Sequence, residues 1–216
     1  MISMSYSGTR TAYAQTAVGL AFFMLMTMQN KQIFIVSCMM VLFGAAIVFG
    51  PFYGSTANRI RSTFSPSEDP SMAVRDVKRV KLQAYILSHP IGGGLATTGT
   101  NGVKYSAGHY LAGGWDPDSG YLLTALEMGW IGLMIFLVFF FMVMVRGINN
   151  YFALKDPMLK NLNLAYIVAF LSLSVAQFTQ DALFQKLSNL MVIATYALIV
   201  KICSFERRKL VSVDLI

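Results

Sequence analysis

A chain of 216 residues with 56% hydrophobic and only 12% charged residues is too apolar for an ordinary water-soluble domain, in which about a quarter of residues are charged. Its net charge of +7 comes from basic residues interleaved with long blocks of Leu, Met, Phe, Ile and Val, with no recognition fold, which excludes nucleic acid as the expected partner. The two cysteines, Cys38 and Cys203, sit in or beside those blocks, so neither a disulfide nor a Cys/His metal site is expected.

A helix needs about 20 mostly apolar residues to cross the hydrocarbon core. Stretches of about that length occur at roughly 11–28, 33–49, 120–145, 164–181 and 187–203. The fold class expected is therefore an all-α integral membrane protein, one membrane domain over 1–216, with about five transmembrane helices. The first stretch has no Arg or Lys after Arg10 and lacks the short apolar region and cleavage pattern of a signal peptide, so it reads as a retained span. Cytoplasmic loops collect Lys and Arg. Lys31 lies between spans one and two, Arg146, Lys155 and Lys160 between three and four, and Lys201, Arg207, Arg208 and Lys209 after span five. These three segments are expected to be cytoplasmic, which places segment 50–119 outside as one long extracytoplasmic loop.

That loop is itself basic. Pro51 ends span two, and in "STFSPSEDPS" Asp69 can cap a helix that has Pro70 at its first position. A helix over about 70–88 follows, with Val77, Val80, Ala84 and Leu87 at helical spacing and Arg75, Lys78 and Arg79 on another face. Such an amphipathic helix can lie in the interface with its cations toward lipid head groups. Lys78 and Lys81 read as solvated charges, whereas the guanidinium forks of Arg75 and Arg79 suit the oxygens of a specific phosphate. "HPIGGGLATTGTNG" then ends the helix, since the residue before Pro90 is disfavoured in helix. Its glycines read as turn formers; the Walker spacing fails because Val103 separates Gly102 from Lys104.

"SAGHYLAGGWDPDSGY" brings His109, Asp116 and Asp118. A loop histidine is commonly a satisfied surface residue, and two acids without His or a further acid make a poor metal site. Asp118 is placed to cap span three, with its carboxylate toward the amides near Gly120 and Tyr121. Glu127 lies about two turns into that span, and Gly129 and Gly132 would let another backbone approach closely. On span four Ser174, Gln177 and Asp181 share a helical face. Charges at membrane depth cost at least a few kcal/mol, so they are paired or functional. With Arg10 at the outer start of span one, these groups converge on the external end of the bundle; inter-helix bonding alone remains the alternative role for Glu127 and Gln177.

"SYSGTRTA" at 5–12, the helix from Arg75 closing in "SHPIGGG", and "DSGYLLTALEMGWIG" at 118–132 resemble, in order and spacing, the carboxyl-terminal half of the O-antigen ligase and polymerase superfamily. The resemblance covers about 5–146, and the last motif is the most specific. It implies a glycosyltransferase, needing no metal ion or other cofactor, that transfers or polymerises glycans carried on undecaprenyl diphosphate at the outer face of the bacterial inner membrane. A glycan or lipid would be the acceptor, and membrane lipids the surroundings. Arg10 and Arg75 match the family's diphosphate-binding arginines, with Arg79 beside them. Ligases of the family carry His-Asn where this chain has Asp118-Ser119, so the base would be Asp118, or His109 from the preceding loop, and the polymerase reading gains over the ligase one. Glu127, Gln177 and Asp181 would line the cleft, Glu127 pairing with an arginine. Family members have more spans, so the chain is expected to be the carboxyl-terminal half of such a protein. A transporter or flippase-like bundle is the alternative from another class, although no inverted repeat is visible; a non-catalytic membrane scaffold is a third. Accumulated lipid-linked units on deletion would mark the enzyme, and lost solute uptake the transporter.

Overall fold

The computed structural model describes residues 10–49, 80, 82–113, 117, 119–183 and 186–213, with side chains described except at 10, 43–45, 47–49, 186–187 and 207–213. Among these residues the structure is all-helical, with one isolated parallel bridge between Gly99 and Ala112. The chain divides into two compact units, Met1–Met72 and Ala73–Ile216.

The first unit is a helical hairpin. Helix α1 (Arg10–Thr27) and helix α2 (Lys31–Phe49) pack together across a turn at residues 28–30. Asn30 closes the turn: its amide donates to the Thr27 carbonyl at 2.9 Å, and its side-chain oxygen accepts from the Gln32 amide at 3.2 Å, capping α2. Both helices are apolar, and Ile35, Val36, Met39, Met40 and Leu42 are exposed on α2.

The second unit holds helical residues 82–88 (α3), α4 (Gly99–Tyr105), α5 (Gly120–Ala153), α6 (Pro157–Ala176) and α7 (Lys186–Val213). Helices α5, α6 and α7 pack mutually. All three are long and apolar enough to cross a membrane. Their exposed residues include Met134, Ile135, Val138, Phe141, Met142, Leu190 and Ile193, more apolar surface than water-soluble proteins tolerate, so the bundle belongs in a lipid environment. The chain direction alternates. The Gly120 amide donates to the Gln177 carbonyl at 3.0 Å, which puts the start of α5 beside the end of α6. At the opposite end, the amides of Lys155 and Asp156 both donate to Glu206 Oε1 at 2.7 Å, joining the α5–α6 turn to α7. Asp156 also caps α6, accepting from the Met158 amide at 2.9 Å with Pro157 in the first turn.

The helices are joined by aromatic rings and by a few buried amides. Phe140 stacks on the fully buried Phe170 at 4.7 Å, and Phe170 meets Tyr196 of α7 edge-on at 5.8 Å. Gly147 lets α6 approach closely, since a Cβ there would run into Ile167. Asn163 donates to the Gly147 carbonyl at 2.9 Å, and Asn150 to the Ile199 carbonyl at 2.7 Å. In lipid, where no water competes for these carbonyls, such bonds are worth about 1 kcal/mol each.

Two expectations are corrected. Stretch 120–145 is not one continuous span: α5 is interrupted at Gly129, which has φ 71° and ψ 178°. In a straight helix Tyr121 and Phe136 would stand about 22 Å apart along the axis, yet their ring centroids are 6.4 Å apart. The arm 120–128 therefore folds back sharply on the arm 130–153, which at about 36 Å is long enough to span by itself. Second, α6 ends at Ala176, not at 181, because the Gln177 carbonyl is taken by the Gly120 amide and by the Ser119 hydroxyl at 3.2 Å. In the described part of the helix expected over 70–88, Val80, Ala84 and Leu87 are exposed, and the buried residue is Leu82, with Tyr85 and Ile86 beside it. Leu82 turns inward because it packs on Leu111 and Leu126.

Candidate functional site

The break in α5 is filled by the glycine-rich loop. Helix α3 stops at Ser88, one residue short of His89-Pro90, as the sequence requires. A break frees carbonyls and amides that would otherwise pair along the helix, and buried in a membrane protein each needs a partner. The loop supplies them: the Gly93 amide donates to the Leu126 carbonyl at 2.8 Å, the Gly94 amide to the Glu127 carbonyl at 2.9 Å, and the Pro90 carbonyl accepts from the Ile131 amide at 3.4 Å. Contact is backbone to backbone. A Cβ on Gly129 would strike the Pro90 carbonyl, and one on Gly92 would strike the Gly129 amide. Both glycines have positive φ, 71° and 80°, so any other residue there is also strained. Because Gly93 and Gly94 spend their amides on α5, those two amides are not available to an anion.

Glu127 ends the first arm of α5, and its Oε1 accepts from the Thr98 hydroxyl at 2.7 Å. The bond ties the far end of the loop to the break, and no ion pair between Glu127 and an arginine occurs among the described residues. Thr97 turns the loop between, its hydroxyl donating to the Gly94 carbonyl at 2.7 Å. Leu82, Leu111 and Leu126, each almost wholly buried, fasten α3, the loop after α4 and the first arm together beneath this contact.

His109 stands over the same loop. Its amide donates to the Ser106 carbonyl at 2.8 Å, and its Nδ1 accepts from the Leu111 amide at 3.2 Å. The ring edge and the Tyr85 hydroxyl both lie close to Gly93, where a Cβ would meet His109 Cε1 at 2.8 Å and the Tyr85 oxygen at 2.9 Å. Tyr85 is sandwiched between His89, stacked at 4.0 Å, and Tyr110, at 5.7 Å. Burial, and secondarily the neighbouring Tyr110, push the Tyr85 phenol above its usual value of 10.0, so it keeps its proton.

Gln177 and Asp181 form a second neighbourhood at the start of the first arm. Gln177 is fully buried. Its Oε1 accepts from the Leu183 amide at 2.8 Å, and its Nε2 reaches Asp181 Oδ1 at 3.4 Å. Its amide packs so tightly on Gly120 that a Cβ there would collide with it. Tyr121 completes the join, donating to the Ser174 carbonyl at 3.0 Å.

Of the residues singled out in the sequence, the structure gathers Glu127 and His109 about the glycine loop, and Gln177 with Asp181 at residues 119–121. Asp116, Asp118, Arg75 and Arg79 lie outside the described residues, and of Arg10 only the backbone is described, opening α1. Sequence reasoning missed Thr98 and Tyr85. Thr98 gives no local signal, since its partner is 29 positions away; Tyr85 falls three residues from Leu82, a spacing that places it on the inward face. Among the described residues there is no group of three His, Cys, Asp or Glu suited to a metal ion.

Fold and site together define an α-helical membrane protein with a polar site where a loop enters a broken span. The chain belongs to the O-antigen ligase family: the family model described as "O-Antigen ligase" matches residues 2–137. No curated protein matches the chain, and no solved structure does.

Proposed function

We propose that this chain is a membrane glycosyltransferase that polymerises or ligates a glycan carried on undecaprenyl diphosphate, at the outer face of the bacterial inner membrane. The observation that carries the reading is the family match over residues 2–137, which takes in the α1–α2 hairpin, the glycine loop and the break at Gly129. In the reaction an acceptor hydroxyl attacks the anomeric carbon of the lipid-linked sugar. The bond from that carbon to the diphosphate breaks, a glycosidic bond forms, and the hydroxyl proton passes to a base. Arg10, Arg75 and Arg79 hold the diphosphate, their guanidinium groups countering the charge of the leaving group where other enzymes use a metal ion. Asp118, next to the buried Ser119 and the start of α5, is the proposed base. Glu127, Gln177 and Asp181 support the cleft through the bonds described above.

The orientation rests on the cations. Arg146, Lys155, Lys160 and Lys201 fall toward the end of the bundle where Glu206 meets the α5–α6 turn, opposite the Gly120 end. Such an excess of cations favours the cytoplasmic side, which leaves the glycine loop outside. The experiment is to place Arg10→Ala and Arg75→Ala at the chromosomal locus and to profile surface and lipid-linked glycan. Loss of long glycan with accumulation of undecaprenyl-diphosphate-linked units is expected; an unchanged profile would contradict the proposal.

A further inference from the structure

The second arm of α5 carries a groove of about 350 Å³, lined by Phe141, Met142, Val145, Arg146 and Asn149. All five are exposed, and on a 3.6-residue turn they form one stripe about 12 Å long. The stripe is graded along the axis. Phe141, Met142 and Val145 lie toward the middle of the span, and Arg146 and Asn149 toward the end where Glu206 meets the α5–α6 turn. Arg146 comes about 24 Å along the arm 130–153, short of the roughly 30 Å that the hydrocarbon core takes. A guanidinium at that depth needs a counter-charge within reach of its long stem. The described residues supply none: Arg146 has no ion pair among them, and their carboxylates are engaged elsewhere, Glu127 by the Thr98 hydroxyl, Asp181 by Gln177, and Asp156 and Glu206 by backbone amides. The α1–α2 hairpin holds none to offer, since residues 10–49 include no Asp or Glu. Asn149 adds a side-chain amide that is likewise unbonded among the described residues.

We propose that this groove binds an anionic phospholipid, with the phosphate on the Arg146 guanidinium and the Asn149 amide and an acyl chain over Phe141, Met142 and Val145. The order of the stripe is the order of the lipid, with polar donors at the membrane surface and apolar side chains toward its middle. A guanidinium presents a fork to phosphate oxygens, and such charge-assisted bonds strengthen where water is scarce. Net charge selects among phospholipids. Lys155 and Lys201 are exposed at the same end of the bundle, and together with Arg146 they draw an anionic head group and oppose the cation of a zwitterionic one. A second copy of the chain fits the face poorly, because a two-fold contact over this patch would set two Arg146 groups against each other.

The test is native mass spectrometry of the purified full chain in detergent, with phosphatidylglycerol, phosphatidylcholine or undecaprenyl phosphate added one at a time, and thermal unfolding in the same mixtures. The parent chain is expected to retain phosphatidylglycerol about tenfold more tightly than phosphatidylcholine and to melt higher in its presence. Arg146→Ala should lower retention of phosphatidylglycerol by about tenfold and abolish the rise in melting, and Arg146→Lys, a point charge without the fork, should keep part of both. Lys155→Ala removes an exposed cation outside the groove and should change retention by no more than about twofold. Equal retention by the parent and Arg146→Ala would overturn the proposal. So would an equal loss in Lys155→Ala, which marks diffuse attraction to the whole end of the bundle. Tighter retention of undecaprenyl phosphate than of phosphatidylglycerol, lost in Arg146→Ala, would give the groove to the carrier lipid instead. A dimer that Met142→Arg dissolves, with lipid retention unchanged, would give the face to a second copy.

Discussion

Gly129 decides the shape of the site. With φ at 71° and the Pro90 carbonyl where a Cβ would sit, Gly129→Ala combines a left-handed strain of about 1 kcal/mol or more with a backbone collision that costs a further 1–3 kcal/mol. Thermal unfolding of the purified chain in detergent should therefore show a loss of at least about 2 kcal/mol, whereas Gly108→Ala, with open space around it and no positive φ, should lose little. Thr98→Val keeps the shape of the side chain but leaves Glu127 Oε1 without its hydroxyl donor, a loss of about 1–3 kcal/mol; Thr98→Ser should restore most of it. The sequence made the glycines visible as places of close approach, and that expectation holds at Gly129. It did not reveal that the approach breaks the helix, because nothing local demands a positive φ. The demand comes from the complementary amides of Gly93 and Gly94, more than 30 positions earlier in the chain.

Among the elements, the spans were legible because hydropathy over about 20 residues is a strong signal. Their ends were not. α6 stops at Ala176 because the Gln177 carbonyl is diverted to Gly120, and α7 continues to Val213, past the apolar stretch that announces it. The turn between α5 and α6 depends on Glu206, whose one carboxylate oxygen takes two backbone amides. Glu206→Ala should destabilise the chain by about 2 kcal/mol. Denaturant titration beside the parent chain checks the loss. In α3 the apolar residues at helical spacing, Val80, Ala84 and Leu87, are exposed, and Leu82 is the one held inward by Leu111 and Leu126, partners that leave no trace in local spacing.

At the scale of the whole molecule, membrane character and family were legible from composition and from three motifs, while the site was legible only in part. Glu127 and His109 were marked by their chemistry, and the structure brings both to one glycine loop; their contacts, Thr98 and the Leu111 amide, are tertiary and leave no trace in spacing. The orientation has its own check. Single cysteines at Asn101 and at Phe152, in a chain with Cys38 and Cys203 replaced by Ser, should label from opposite sides with a membrane-impermeant maleimide in intact spheroplasts, Asn101 from outside. Labelling of both from one side would contradict the arrangement. The central claim is glycan transfer beside the start of α5, and the most direct measurement is the glycan profile of a strain carrying Asp118→Asn at the chromosomal locus. Transfer by this site predicts that long surface glycan is lost and that single units accumulate on undecaprenyl diphosphate, at normal protein level. Glycan of parental length and amount in that strain would contradict it.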